Sequence, residues 1–121
     1  MQKALNIYRI IVLLASAGAE LAAGYLMSFK PETFFDNPSS DIISLAGSFA
    51  VGATTIGIYS LMLLFLRQKQ AQLAGFTVLA LYHAGIGITQ TICGSAGIEA
   101  TLFHGWLTLS LLGLMVWYAR R

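Results

Sequence analysis

Four polar side chains that could do chemistry stand within or beside long apolar stretches of this sequence: Glu20, His83, Gln90 and His104. Carboxylates and imidazoles take up and release protons, and imidazoles and amides also bind ligands. Glu20 is the one acidic residue inside an apolar stretch. A charged side chain at the centre of a membrane span costs roughly 2.5 to 3.5 kcal/mol, so it tends to be kept where something compensates. These four residues are therefore the candidate proton or ligand site.

Glu20 and His83 are predicted at similar depth in a membrane. A helical rise of 1.5 Å per residue places Glu20 about 13 Å and His83 about 16 Å below the outer ends of their spans. If the two helices face each other, the side chains form a hydrogen-bonded pair. Two interpretations stay open: a protonatable site reached from the outer face, or a neutral Glu20 that hydrogen-bonds to His83, a serine or a tyrosine and holds helices together.

His104 is predicted nearer the surface. Its depth is about 5 Å if its span begins at Thr101, which separates it from His83 by about 10 Å along the membrane normal. That offset argues against a shared metal ion and against bis-histidine haem, whose two ligands meet one iron. The sequence thus predicts no metal and no haem, with quinone or lipid left open as ligands. Gln90 lies between the histidines in depth and could extend a polar chain towards the surface.

Several chemistries lack their motifs. The sequence has no glycine-rich phosphate loop next to a strand, no HExxH and no serine in an elbow motif. An enzyme would have to use the four candidate residues alone, so a non-catalytic role is favoured. A net charge of +2, spread over scattered basic residues, predicts no nucleic-acid partner, and the single Cys93 excludes an intrachain disulfide.

The elements that must position these residues are membrane helices. With 57% apolar residues and 10% charged residues, 121 residues indicate one integral membrane domain embedded in a lipid bilayer. Crossing the hydrocarbon takes about 20 residues. The sequence predicts an all-α fold, an antiparallel bundle of four transmembrane helices at 10–29, 42–66, 71–94 and 101–119. In the outer loop, 30–41, Pro31 should open a short turn, and Ser39 or Ser40 should cap the second helix.

Charge predicts the orientation. Both termini share a side because the number of spans is even, and only Lys30 lies on the opposite side from the other basic residues. By the positive-inside rule the termini are cytoplasmic. The residues on that side are Lys3, Arg9, Arg67, Lys69, Arg120 and Arg121.

Small residues recur at helical spacing. His83, Gly87, Gln90 and Gly94 share one stripe of the third span, and such stripes face other helices because glycine admits a close approach of backbones. The same argument predicts helix packing at Gly24, Gly47, Gly52, Gly57, Gly87 and Gly94. It also favours an oligomer or a subunit of a larger membrane complex.

Four stretches carry a resemblance across the whole chain: Phe29-Lys30-Pro31-Glu32, Leu45-Ala46-Gly47-Ser48-Phe49-Ala50-Val51-Gly52, the basic hairpin at Arg67 and Lys69, and the closing Tyr118-Ala119-Arg120-Arg121. In these the sequence resembles the small DoxX-like four-helix membrane proteins. Some of those proteins are linked to quinone-coupled redox complexes. The resemblance implies a bacterial-type inner-membrane bundle that acts as an accessory subunit, and it assigns no catalytic residue.

The sequence also resembles a second group of membrane proteins in its length, in its four predicted spans and in the glutamate of the first span, at Ala19-Glu20-Leu21. These are the small multidrug resistance transporters, in which that glutamate exchanges protons for cationic substrates in an antiparallel dimer. The strong charge bias and the charged outer loop of this chain depart from that group. Three hypotheses follow: an accessory or oligomeric membrane subunit, which leads, a proton-coupled transporter that uses Glu20 with His83, and a membrane enzyme that acts on a lipid or quinone.

Overall fold

A computed structural model describes residues 2–93 and 97–120, except for the side chain of Cys93. These residues form four long helices, each long and apolar enough to cross a membrane. The all-α class and the four candidate spans are thereby confirmed, and they indicate a multi-pass membrane protein. The helices are α1 (Gln2–Phe29), α2 (Ser40–Phe65), α3 (Lys69–Cys93) and α4 (Ile98–Ala119).

The predicted bounds hold best where a polar connection interrupts the apolar sequence. Both α2 and α3 begin two residues before the start of the predicted span and end one residue before its predicted end. α1 begins earlier, at Gln2, because nothing in its first residues breaks a helix and a helix continues past the hydrocarbon edge at no cost. α4 begins at Ile98, three residues before the predicted Thr101, because the extended Gly97 caps it and Glu99 suits its positive end.

The connection between α1 and α2 follows its sequence signals. Pro31 opens a short 3-10 helix, Pro31–Thr33, as predicted, because its fixed φ suits the first position. At the start of α2, the hydroxyl of Ser39 accepts a hydrogen bond from the backbone N–H of Ile42 at 3.4 Å. Asp41 lies in the first turn, where a negative charge is favourable.

The chain divides into two compact units, Leu13–Met62 and Met1–Val12 with Leu63–Arg121. In Leu13–Met62, α1 and α2 pack closely. The hydroxyls of Ser16 and Ser60 are hydrogen-bonded at 2.9 Å. A Cβ at Gly24 would collide with the side chain of Thr54. One at Gly57 would lie 3.2 Å from the backbone nitrogen of Leu21, so both glycines permit the close approach of the helices.

The packing role predicted for Gly47 and Gly52 is not found within the described residues. A Cβ added at either position would meet no described atom within 4 Å. The buried face of α2 instead carries Ala46, Ala50 and Ala53. A stripe of small residues allows close packing on more than one face of a helix, and the side chains opposite decide which face is used.

In the second unit, α3 and α4 lie side by side. Contacting residues run in opposite order along the two helices. At the start of α3 the Lys69 ammonium donates a hydrogen bond to the Ala119 carbonyl at the end of α4, and farther along α3 His83 contacts His104. Contacting pairs are Lys69 with Ala119, Phe76 with Tyr118, Thr77 with Met115 and His83 with His104.

Candidate functional site

His83 lies on the buried face of α3. Phe76, Ala80 and His83 follow one another at helical spacing of three or four residues, and all three are buried. The imidazole has no exposed surface at all. A fully buried imidazole needs hydrogen-bond or ligand partners, because burial of an unpaired polar group costs free energy.

The partner that α4 supplies is His104. Its Nδ1 lies 3.0 Å from Nδ1 of His83, within hydrogen-bond distance. The ring centroids are 5.2 Å apart and the ring planes are inclined by 33°. Because the nitrogens are much closer than the centroids, the rings meet edge to edge through these two atoms. The structure therefore brings together two of the four candidate residues.

The expectation that His83 and His104 are too far apart in depth to share a ligand is wrong. The estimate of about 10 Å rested on a helix that begins at Thr101, whereas α4 begins at Ile98. Those three residues deepen His104 by about 4.5 Å. Two imidazole side chains reach across the remaining offset.

Gly87 lies one turn from His83 and leaves room beside the second histidine. A Cβ added at Gly87 would stand 3.6 Å from Cβ of His104, an ordinary van der Waals contact, and 4.0 Å from the Thr101 carbonyl oxygen. An alanine would fit here, whereas a larger side chain would project into the adjoining space. Of the other glycines predicted to pack, Gly94 lies outside the described residues.

That space is a cavity of about 400 Å³ between α3 and α4. Its surface is mostly apolar, with His83 as the most polar side chain in its wall. Ile88, Ile92 and Leu109 are largely exposed, so the cavity has an apolar rim at the protein surface. It is lined by His83, Ala84, Gly87, Ile88, Thr91 and Ile92 of α3 and by Thr101, Gly105, Thr108 and Leu109 of α4.

A second, smaller cavity of about 140 Å³ follows along the same two helices. It shares Ala84 and Thr108 with the first and extends to Leu112 and Met115. The two cavities share lining residues and together form an apolar groove, which we call the α3–α4 groove, with His83 next to the shared Ala84. Pockets of this kind, apolar with a few placed polar groups, are typical of ligand sites.

Threonine hydroxyls supply further polarity in the groove. The hydroxyl of Thr108 donates a hydrogen bond of 2.8 Å to the backbone carbonyl of His104, and that of Thr91 donates one of 2.8 Å to Gly87. Because each hydroxyl hydrogen is committed to its own helix, the oxygen offers acceptor lone pairs to a ligand. Thr108 belongs to the stripe of His104, so its spacing was visible in the sequence, but nothing local indicated a cavity.

Gln90 and Glu20 are the remaining two candidates. Gln90 is partly buried, its Oε1 has no hydrogen-bond partner among the described residues, and it does not line the cavity. His104 is not among the residues that line this cavity either. The pocket of Glu20, His83, Gln90 and His104 that is expected of a membrane enzyme stays a prediction. Glu20 belongs to the other unit, where it is 3% exposed. Its pairing with His83 stays a prediction.

No family model, curated protein or solved structure matches this chain.

Proposed function

We propose that this chain is a multi-pass membrane protein that binds an amphiphilic molecule of the quinone or lipid class in the α3–α4 groove, as an accessory subunit of a membrane complex. One observation carries the proposal: an apolar cavity of about 400 Å³ with a buried histidine in its wall. A head group fits the wide cavity beside His83, and a hydrocarbon tail fits the narrower one beside Leu112 and Met115.

The lining favours a head group that carries carbonyl or hydroxyl oxygens. An imidazole N–H of His83 donates to a carbonyl oxygen, and the hydroxyl oxygens of Thr101 or Thr108 accept from a hydroxyl. Quinones and their reduced forms offer these two groups. The DoxX-like resemblance supports the same ligand class, because some of those proteins are linked to quinone-coupled complexes.

The proposed setting is a bacterial-type inner membrane, with the four helices as an antiparallel bundle and both termini cytoplasmic. The distribution of basic residues supports this orientation, because six of the seven Lys and Arg lie on one side of the predicted spans. Large apolar side chains such as Phe65, Leu81 and Leu109 are strongly exposed, which suits contact with lipid, with further copies or with partner subunits. A purified species that remains monomeric and partner-free in mild detergent would contradict the subunit role.

Quinone binding to the purified chain in lipid nanodiscs tests the ligand. A short-chain benzoquinone quenches tryptophan fluorescence, and Trp106 follows Gly105 of the cavity wall. Gly87→Leu places a side chain in the cavity, so we expect the Kd to rise at least about tenfold. Gly85→Leu is the matched control, because a Cβ at Gly85 meets no described atom within 4 Å.

Equal affinities of the two leucine variants would overturn the proposed site. A fatty acid and a lysophospholipid are titrated beside the quinone to separate the two sources of the ligand. Quenching by the quinone that neither lipid reverses assigns the quinone class. Binding of a lipid without binding of the quinone assigns a lipid.

A second candidate function is proton-coupled transport through Glu20, with His83 as its predicted partner. The observation that favours it is the burial of the Glu20 carboxyl group in a helix apolar enough to cross a membrane. In proteoliposomes with a pH gradient, flux of a cationic dye should be lost in Glu20→Gln and retained in Glu32→Gln, whose side chain lies in the outer connection. Unchanged flux in Glu20→Gln would exclude this function.

A further inference from the structure

Two imidazole nitrogens held 3.0 Å apart in a buried position share either a proton or a cation. Metal–nitrogen bonds of about 2.0–2.1 Å from one cation to both atoms would enclose an angle of about 94° at this separation. Widening the separation to about 3.35 Å gives the tetrahedral angle with the same bonds. The observed distance is therefore within a few tenths of an ångström of two common coordination geometries.

A cation can take the place of the proton between the two Nδ1 atoms if one ring changes its tautomer. When neutral rings share a hydrogen bond, one carries its proton on Nδ1 and the other on Nε2. Coordination through both Nδ1 atoms requires the first ring to move its proton to Nε2, so the pair keeps its total of two ring protons. Each ring then turns slightly so that both lone pairs point at one ion. The cavity that His83 lines gives room for that rotation.

The cavity also provides room for the remaining ligands. His83 lines it, and Thr101 and Thr108 stand in the facing wall. Water or hydroxide in the cavity can occupy the open coordination positions and offset part of the ionic charge. Imidazole suits zinc, copper, nickel and related first-row ions.

We propose that His83 and His104 together bind one divalent first-row transition-metal ion through their Nδ1 atoms, at the wall of the α3–α4 groove. The site needs no amphiphile and so goes beyond the proposed function. It reserves open coordination positions for small ligands that enter the cavity.

Cobalt(II) titration of tag-free protein in detergent tests the site. We expect one Co²⁺ per chain, with visible d–d absorption that Zn²⁺ abolishes by displacement. His83→Ala and His104→Ala should each weaken binding at least about tenfold, because even residues that only support metal ligands cost 10- to 100-fold. Thr77→Val is the matched control, since it disturbs the contact with Met115 of the same helix pair and leaves the histidines intact.

A second readout covers the case in which the histidine variants do not fold. The chain has two histidines, so ¹⁵N-histidine labelling of the wild-type protein gives resolvable imidazole signals. Zinc should shift the Nδ1 resonances of both rings. An absent cobalt band with unshifted Nδ1 resonances overturns the proposal, as does equal cobalt affinity in folded His83→Ala and His104→Ala. Neither readout contains a quinone or lipid ligand, so failure here is distinct from failure of the amphiphile site.

Discussion

His83 of α3 and His104 of α4 hold their Nδ1 atoms 3.0 Å apart, although 21 positions separate them in the chain. This is the one side chain to side chain contact between two ring nitrogens among the described residues. It lies at the wall of the cavity of about 400 Å³ between the same two helices. Stability and ligand binding are therefore expected to change together when either histidine is replaced.

A double-mutant cycle measures the histidine contact. Removing one ring leaves a buried nitrogen without this partner, so His83→Ala and His104→Ala should each lower the free energy of unfolding by about 1–3 kcal/mol. Because the residues are in contact, the double variant should lose less than the sum, by at least about 0.5 kcal/mol. Unfolding in mixed micelles with increasing dodecyl sulfate gives all four values. Additive losses would contradict the contact.

Gly24 is expected to tolerate no larger side chain. A Cβ there would collide with the Thr54 side chain and stand 3.1 Å from the Ala50 carbonyl oxygen. Gly24→Ala should therefore destabilise by about 1–3 kcal/mol, the usual cost of overpacking. Gly18→Ala, in the same helix, meets no described atom within 4 Å and should be neutral or stabilising by up to about 1 kcal/mol. Equal effects of the two alanines in the same unfolding assay would refute close packing at Gly24.

Gln72 closes the end of α2. Its buried side-chain amide donates hydrogen bonds to the carbonyls of Leu63 at 2.6 Å and Leu66 at 2.5 Å, at a helix end whose carbonyls lack partners within the helix. Gln72→Leu keeps the volume and removes both bonds, so a loss of about 1–3 kcal/mol in unfolding free energy is expected. Gln70→Leu changes an exposed glutamine two residues away and should leave stability within about 0.5 kcal/mol. A neutral Gln72→Leu would show that water replaces the cap.

The predicted pairing of Glu20 with His83 has its own test. If the pair forms, Glu20→Gln and His83→Ala should be non-additive in unfolding free energy by at least about 0.5 kcal/mol. Glu32→Gln with His83→Ala is the reference cycle and should be additive, because Glu32 lies in the connection between α1 and α2. Additivity in both cycles would dispose of the pairing.

The helices were predictable because their signals are local. Hydropathy and length identified all four, and the polar residues 67–70 placed the end of α2 and the start of α3 within two residues. The turn at Pro31 follows from the fixed φ of proline. The cap at Ser39 follows because its hydroxyl oxygen can accept a hydrogen bond from a backbone N–H in the first turn of α2. The early starts of α1 and α4 were missed, because hydropathy marks the hydrocarbon edge and a helix ends at its cap.

Contacts between helices depended on packing that no local signal contains. The small-residue pattern named Gly24, Gly57, Gly47 and Gly52 alike, yet an added Cβ would crowd a neighbour only at the first two. In the same way, Glu20, His83, Gln90 and His104 were all candidates by residue type, and the estimated depths paired Glu20 with His83 rather than His104 with His83. Which of them meet depends on the rotation and axial register of whole helices.

The sequence by itself therefore determined that this chain forms four apolar helices and which polar groups they carry, because hydrogen bonding within each helix and the period of its side chains are properties of one segment. Tertiary structure alone decided that His83 meets His104 beside a cavity. A shift of α4 by one turn, about 5.4 Å, would separate the two rings while leaving every local sequence signal unchanged.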